Sequence, residues 1–353
     1  MGEKRRVANP PYKPMDKAIR DRYSDAILHE AMARYAIAAD QIEPGDGFES
    51  FIYRFQRDGA PAILRVTHSL RRSPEQIRGE VDWINFLAAG GATVAGALLS
   101  ARGELVEEID DGQGGRFLAT AFAFAPGRPP WEVGWTPART EAYGRLIGRM
   151  HVLTKSYTPP DPAWRRPSWP AVFADELSGL LTGRDEVILD RYRAITRRIE
   201  AMPLGPDEYG LIHFDAHSAN LHVEGDTLTL FDFDDCVYNW FIGDIGMVIF
   251  YMITNAADPL GVLADFLPPF LRGYRAENRL DPRWLPAIHD FLTTREIDLY
   301  AVIQRSYDLP DGDAAEAIPH PWPRQFMTGR RARILAGMPY VDFDFATLCA
   351  YLE

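Results

Sequence analysis

Lysine is nearly missing from this 353-residue chain. It occurs at Lys4, Lys13, Lys17 and Lys155, so none lies between Ser24 and Thr154, and arginine carries nearly all the positive charge. Cysteine is scarcer still. Cys236 and Cys349 cannot build a disulfide framework and offer no CxxC metal pair, which points to a reducing cytoplasm. No run of about 18 apolar residues is present, so no membrane span is expected. The opening MGEKRRVANPPYKP has charges but no apolar run behind them; it reads as a flexible lead-in over residues 1–14 and not as a signal peptide. Positive charge is also short overall. The formal charge of −12 argues against non-specific binding to nucleic acid, whose phosphates demand a basic face. Neither a GxxxxGK[ST] phosphate loop nor a GxSxG hydrolase elbow occurs.

What is present is ordinary globular material, 46% hydrophobic and 25% charged, enough for a sizeable core, and the length suggests two domains. From Asp16 to about Ala38 the spacing of Ile19, Tyr23, Ile27, Met32 and Tyr35 suits one amphipathic helix. Phe51–Gln56 and Ala62–Thr67 read as strands joined at Arg57-Asp58-Gly59. Ser73-Pro74-Glu75 opens a helix with Ser as N-cap and Pro in the first turn. Its stripe is Ile77, Val81, Ile84 and Leu87, and Gly90-Gly91 ends it. Ala97–Ser100, Leu105–Ile109 and Phe117–Phe124 read as further strands, stopped by Ala125-Pro126-Gly127. A capped helix then starts at Thr136-Pro137. A Pro- and Trp-rich connector follows over Pro159–Pro170, with helical segments near 171–202 and a mostly helical remainder after Phe233. The order, β-rich then mostly α, predicts an α+β protein of two lobes, 1–125 and 126–353, with a cleft between them.

The chemistry concentrates in Leu211–Asp235. Leu221–Val223 and Thr227–Phe231 are apolar runs joined by Glu224-Gly225-Asp226, the pattern of a hairpin. Asn220 precedes the first strand and Asp232 follows the second, so both side chains meet at the hairpin's open end, with Asp215 on the loop entering it. An amide oxygen and carboxylates around a small space suit Mg²⁺, which takes hard oxygen ligands. Asp215 is then left to orient or deprotonate an attacking hydroxyl, the division of labour in kinase-type phosphoryl transfer.

The segment His213-x-Asp215-x4-Asn220 with Asp232 resembles the catalytic and metal motifs of the aminoglycoside phosphotransferase and choline kinase superfamily. The string from Phe231 to Ile245 and the segment Pro339–Phe343 are similar to its branch of homoserine-kinase-type enzymes and bacterial stress-response Ser/Thr kinases. The resemblance implies a two-lobed protein-kinase-like fold, ATP and Mg²⁺ as cofactors, and γ-phosphoryl transfer to a small-molecule or protein hydroxyl. It implies Asp215 as base, His213 beside it holding the catalytic loop, and Asn220 and Asp232 as metal ligands. Asp244 becomes the structural Asp that ties this loop down. Phe122–Gly127 takes the place of the hinge, with backbone groups of Ala123 and Ala125 on the adenine edge. Glu80 matches the glutamate that pairs with a phosphate-binding cation. Gly45–Ser50, with Gly47 and Ser50, takes the place of the loop over the phosphates. The sequence departs from the pattern on the strand Ala62–Val66, which lacks the nucleotide-binding lysine; Arg65 stands in for it with a fork geometry unlike an ammonium. Phe214 also stands where many relatives have Gly.

Two other readings use the same residues. A nucleotide-binding regulator without turnover keeps the fold, and loss of the lysine favours it. A metallohydrolase would use His213, Asp215 and His217 as an HxDxH set, but no second His/Asp cluster lies downstream; His217 and His222 read as ordinary loop or strand residues. The acceptor is left open among amino alcohols, aminoglycosides, choline-like bases and protein Ser/Thr, with Glu296, Asp298 and Tyr300 as possible contacts to an amine. Oligomeric state is not readable.

Overall fold

The computed structural model describes residues 15–47, 49–307, 309 and 315–352, with 171–176 as backbone alone; the expected lead-in at 1–14 lies outside the described residues. The single N-terminal helix expected from Asp16 is two, α1 (Lys17–Arg20) and α2 (Asp25–Arg34). Asp16 and Ser24 occupy the two N-cap positions, and Asp21–Tyr23 turn between them. The apolar spacing was right, but a second start signal, Ser24-Asp25, interrupts it.

An antiparallel sheet follows. Its strands are β1 (Ile42–Pro44), β2 (Phe51–Arg57), β3 (Ala60–His68), β4 (Ala97–Leu98), β5 (Glu107–Asp110) and β6 (Arg116–Ala123). The order is β1-β2-β3-β6-β4, with β5 also on β6. Arg57 opposite Ala60 makes Asp58-Gly59 the hairpin turn, as read from the sequence. β6 is buried from Phe117 to Phe122, which is why it shows a continuous apolar run and no alternation. β4 and β5 are shorter or shifted relative to the apolar runs. Glu107 is buried inside β5 because Arg34, Arg102 and Ser100 bond its carboxylate.

Between β3 and β4 runs α3 (Pro74–Ala89). The Ser73 hydroxyl accepts from Gln76 N–H while Gln76 Oε1 accepts from Ser73 N–H, a reciprocal capping box that satisfies two orphan donors of the first turn. Its stripe Ile77, Val81, Ile84 and Leu87 is fully buried, in the same core as the helical part of the chain. A second core, formed by α2 with Phe55, Leu64, Val66 and Phe117, fills the other side of the sheet.

The rest of the chain is largely helical, the α+β order expected. It comprises α4 (Pro130–Val133), α5 (Pro137–Thr154), α6 (Trp169–Leu180), α7 (Glu186–Glu200), α8 (Phe241–Ile253), α9 (Pro259–Glu277), α10 (Ile288–Ser306), α11 (Pro321–Met327) and α12 (Arg330–Leu335). Two small antiparallel pairs sit among them: β7 (Tyr209–Ile212) with β10 (Val237–Trp240), and the hairpin β8 (Leu221–Glu224) with β9 (Thr227–Leu230). This hairpin docks on the segment that leaves the large sheet. Arg128 and Val223 exchange both backbone hydrogen bonds, and Leu230 lies beside Val94. Gly127 has φ +89°, and a Cβ there would stand 2.1 Å from the Val223 carbonyl, so the approach requires glycine. Among the described residues no helix is long and apolar enough to cross a membrane.

Candidate active site

The hairpin brings its open end together as its spacing requires. Leu221 opposes Leu230, and Phe231 N–H donates to the Asn220 carbonyl at 3.0 Å, so Asn220 and Asp232 leave the same end. The loop that carries Asp215 is held from below by Asp244, in the first turn of α8. Its carboxylate accepts from His213 N–H at 3.1 Å and Phe214 N–H at 2.7 Å, and it meets His151 Nε2 at 3.2 Å. All of these groups are buried, where an unpaired amide would cost about 1–3 kcal/mol. Phe214 has φ +65°, a backbone state that favours glycine, and the two Asp244 bonds flank it.

His213 completes this support. Asp215 N–H donates to its Nδ1 at 3.2 Å, which places the ring proton on Nε2, and that N–H donates to the Phe231 carbonyl at 3.2 Å. Burial keeps the ring below the ordinary histidine value, against the pull of Asp244 and Asp215. His213 therefore links the Asp215 loop to the Asp232 segment as a neutral strut.

Both oxygens of Asp215 are engaged. Oδ1 accepts from Arg295 Nη2 at 3.2 Å; Oδ2 meets His217 Nε2 and Asn220 Nδ2, each at 3.2 Å. Burial raises this carboxyl, but His217, Arg295 and His213 outweigh it and hold the group below the ordinary carboxylate value. The carboxylate stays one-fifth exposed. Arg295, from α10, also donates to Tyr251 Oη at 2.5 Å and to Asp298 at 2.6 Å.

His217 and His222 are not the ordinary residues their positions suggested. His217 Nδ1 accepts from Ala219 N–H, so its Nε2–H is the donor to Asp215. His222 Nδ1 donates to the Ala125 carbonyl at 2.7 Å. Of the two hinge residues expected to meet a base, Ala125 thus has its carbonyl engaged, and Ala123 N–H donates to Gly96 O at 2.9 Å. Glu296, Asp298 and Tyr300 are buried and bonded inward to Arg330, Arg295 and Asp185, so they do not form an open acceptor surface.

Near Asp232 and Asp234, Arg65 of β3 and Glu80 of α3 form a buried two-pronged pair at 2.8 and 2.7 Å. Burial opposes the Arg65 charge, but Glu80, Asp234 and Asp232 raise its affinity for the proton above the ordinary guanidinium. Breaking such a pair from one side costs about 3–5 kcal/mol. Gly47 and Ser50 belong to the segment between β1 and β2, where a Cβ on Gly47 would stand 2.0 Å from Ser50 O.

Asp232 contrasts with Asp215. It has φ +64°, and among the described residues no hydrogen bond or salt bridge engages its carboxylate. Desolvation, then the charges of Asp234, Asp235 and Asp215, push its carboxyl up to about 7, against Arg65. The carboxylate is open to solvent, so water offsets part of the first effect. Asn220 Nδ2 is committed to Asp215 O and Oδ2, which turns its Oδ1 the other way. An amide oxygen and a crowded, unengaged carboxylate at one hairpin end fit a hard divalent cation that keeps further phosphate or water ligands. Among the described residues no three His, Cys, Asp or Glu side chains are grouped to hold a metal, so the HxDxH set does not converge.

Comparison with known proteins agrees with this geometry. The sequence model of the phosphotransferase enzyme family matches residues 40–286. The amicoumacin kinase of Bacillus subtilis (strain 168) is 34% identical over 330 residues, which cover 92% of this chain and 96% of that protein. A solved amicoumacin kinase in complex with AMP-PNP, Ca²⁺ and Ami superposes with a TM-score of 0.87 at 33% identity, over 95% of this chain and 100% of that one. A microcompartment-associated aminopropanol kinase shares the fold, with a TM-score of 0.69 at 22% identity over 89% of this chain and 98% of that one.

Proposed function

Since this chain belongs to the phosphotransferase enzyme family and is an ATP-dependent phosphotransferase acting on a hydroxyl group, we propose that Asp215 is its base, that Asn220 and Asp232 hold Mg²⁺, and that its acceptor is a small molecule. Its fold is the α+β, protein-kinase-like one. We place the joint between its lobes near Pro126-Gly127. The observation that carries the residue assignment is the meeting of Asp215, Asn220 and Asp232 at one hairpin end, opposite the Arg65–Glu80 pair. The small-molecule acceptor is supported by the amicoumacin kinases, each about one-third identical to this chain.

The division of labour follows from the bonds. Asp215 is ionised and fixed from both sides, so it orients the acceptor hydroxyl and receives its proton as the acceptor oxygen bonds to the γ-phosphorus and the bond from that phosphorus to the β,γ-bridging oxygen breaks, with ADP leaving. Its low proton affinity makes orientation the larger part of that role. Arg65, held by Glu80, places positive charge on the phosphate side. The Ala123 carbonyl and the Ala125 N–H are the hinge groups that meet the adenine edge, since His222 takes the Ala125 carbonyl. Bound Mg²⁺ would neutralise charge on the transferring phosphoryl group and relieve the repulsion around Asp232.

Isothermal titration with a non-hydrolysable ATP analogue, with and without Mg²⁺, tests the assignment. Mg²⁺-dependent binding that is lost in Asp232→Ala is the expected result. Equal affinity of both proteins under both conditions would remove Asp232 from the metal site.

A further inference from the structure

The phosphate side holds more guanidinium than the reading above uses. Three segments converge there: Glu49 between β1 and β2, Arg71 and Arg72 between β3 and α3, and Asp234 and Asp235 after β9. Arg72 Nη2 pairs with Asp235 at 2.6 Å and Asp234 at 3.5 Å. Arg71 does something different. One of its nitrogens pairs with the Glu49 carboxylate and the other with Asp234, and Asp235 lies 3.8 Å away. It therefore ties the segment expected over the phosphates to the segment that carries Asp232.

The cluster is incomplete. Among the described residues, Nε of Arg65, Arg71 and Arg72 and Oδ1 of Asp234 are buried without a hydrogen-bond partner. Such atoms in one place call for a missing polar partner. Arg65 cannot be the whole phosphate ligand, since both its terminal nitrogens are committed to Glu80. Among the described residues the lysines are Lys17 and Lys155, which pair with Asp21 and Asp207 and not with this cluster. Arg71, by contrast, is one-fifth exposed, and one of its two partners is a one-quarter-exposed carboxylate on a short segment with two glycines. A guanidinium binds carboxylate and phosphate with the same planar fork, and a phosphate of higher charge displaces the carboxylate.

We propose that Arg71 is a second binding residue for the terminal phosphates of the nucleotide, and that in the nucleotide-free protein Glu49 holds its place as an internal stand-in for phosphate. The proposal rests on the nucleotide reading above. It assigns opposite effects to two partners of one ion pair, which a merely structural bridge would not produce. Removing the Glu49 charge frees Arg71 for the ligand, whereas removing Arg71 deletes the ligand's partner.

The test is titration of the full-length protein with Mg²⁺-AMP-PNP and, separately, with adenosine, which has no phosphates. Glu49→Gln should tighten the analogue about fivefold, the scale of one part-exposed ion pair. Arg71→Met should weaken it at least about tenfold, the scale of a charged hydrogen bond. Adenosine affinity should stay within about twofold in both, since neither residue meets the base. Unchanged or weaker analogue binding by Glu49→Gln would overturn the competition. An equal loss of adenosine and analogue binding by Arg71→Met would reduce Arg71 to a structural bridge. Asp232→Ala, run alongside, separates the two ideas. If it leaves Mg²⁺ dependence intact, the metal reading fails whatever Arg71 does.

Discussion

The loop at residues 213–220 and the segment at 231–235 leave the same end of one hairpin, yet they are built in opposite ways. In the first, Asp244 takes two backbone N–H groups, His213 is fixed at both nitrogens, and each oxygen of Asp215 has a partner. In the second, carboxylates crowd one another. Asp232 has no bonded partner among the described residues, and Asp234 keeps a buried oxygen unpaired. The first region is finished without ligand, whereas the second, on the proposed assignment, would be completed by one. In that reading preorganisation is spent on the group that would orient a hydroxyl, and tension is left where a cation and phosphates would bring their own charge.

The comparison breaks first at Asp215. Asp215→Ala should lower kcat about a thousandfold or more, the usual range for a lost acid–base group. Affinity for the Mg²⁺-nucleotide should be nearly unchanged, because the crowded segment is untouched. Steady-state ADP release together with titration would show it, and loss of nucleotide affinity in step with kcat would contradict the separation. A smaller effect is expected at Arg295. Arg295→Met removes the partner of Asp215 Oδ1 and leaves His217 and Asn220 on Oδ2, so kcat should fall about tenfold to a hundredfold while nucleotide affinity holds, and Arg295→Lys should recover part of the loss. The smallest effect, opposite in sign, belongs to Asp232. Its raised proton affinity means the folded nucleotide-free protein binds more proton than the unfolded chain between the ordinary value of 3.8 and about 7. Stability from this group is therefore present at low pH and lost as pH rises through about 7. Asp232→Asn should raise the Tm of the nucleotide-free protein at pH 8 and abolish stabilisation by Mg²⁺-nucleotide. A lower Tm in thermal scans would show that the segment is not under repulsion.

How far the sequence could be read follows the range of the interactions. The hairpin, its two ends and the capped α3 are local, and turn residues, caps and apolar spacing announced them. Arg65 opposite Glu80 was legible only through the family resemblance, which set Arg65 in the place of the missing lysine and Glu80 as its partner. Arg295 was not. It reaches Asp215 from 80 residues away in sequence, and one arginine among many carries no local mark. His217 and His222 were visible but read as ordinary, because their partners depend on which face of the loop or strand meets the rest of the chain. The break between α1 and α2 was legible in principle: Ser24-Asp25 is a start signal, but it lies inside an apolar spacing that runs on unbroken to either side.

The exchange of backbone bonds between Arg128 and Val223 has a mechanical consequence. β8 and β9 are four residues each, so the hairpin is a stiff lever about 13 Å long. Near its closed end it is fastened to the joint where the base would rest, through Gly127 and the His222–Ala125 bond. Its open end carries Asn220 and Asp232. If the base rests at this joint and a cation at the open end, as proposed, a tilt at the joint swings the proposed metal ligands, and seating the base would set the stance of the cation without a separate moving part.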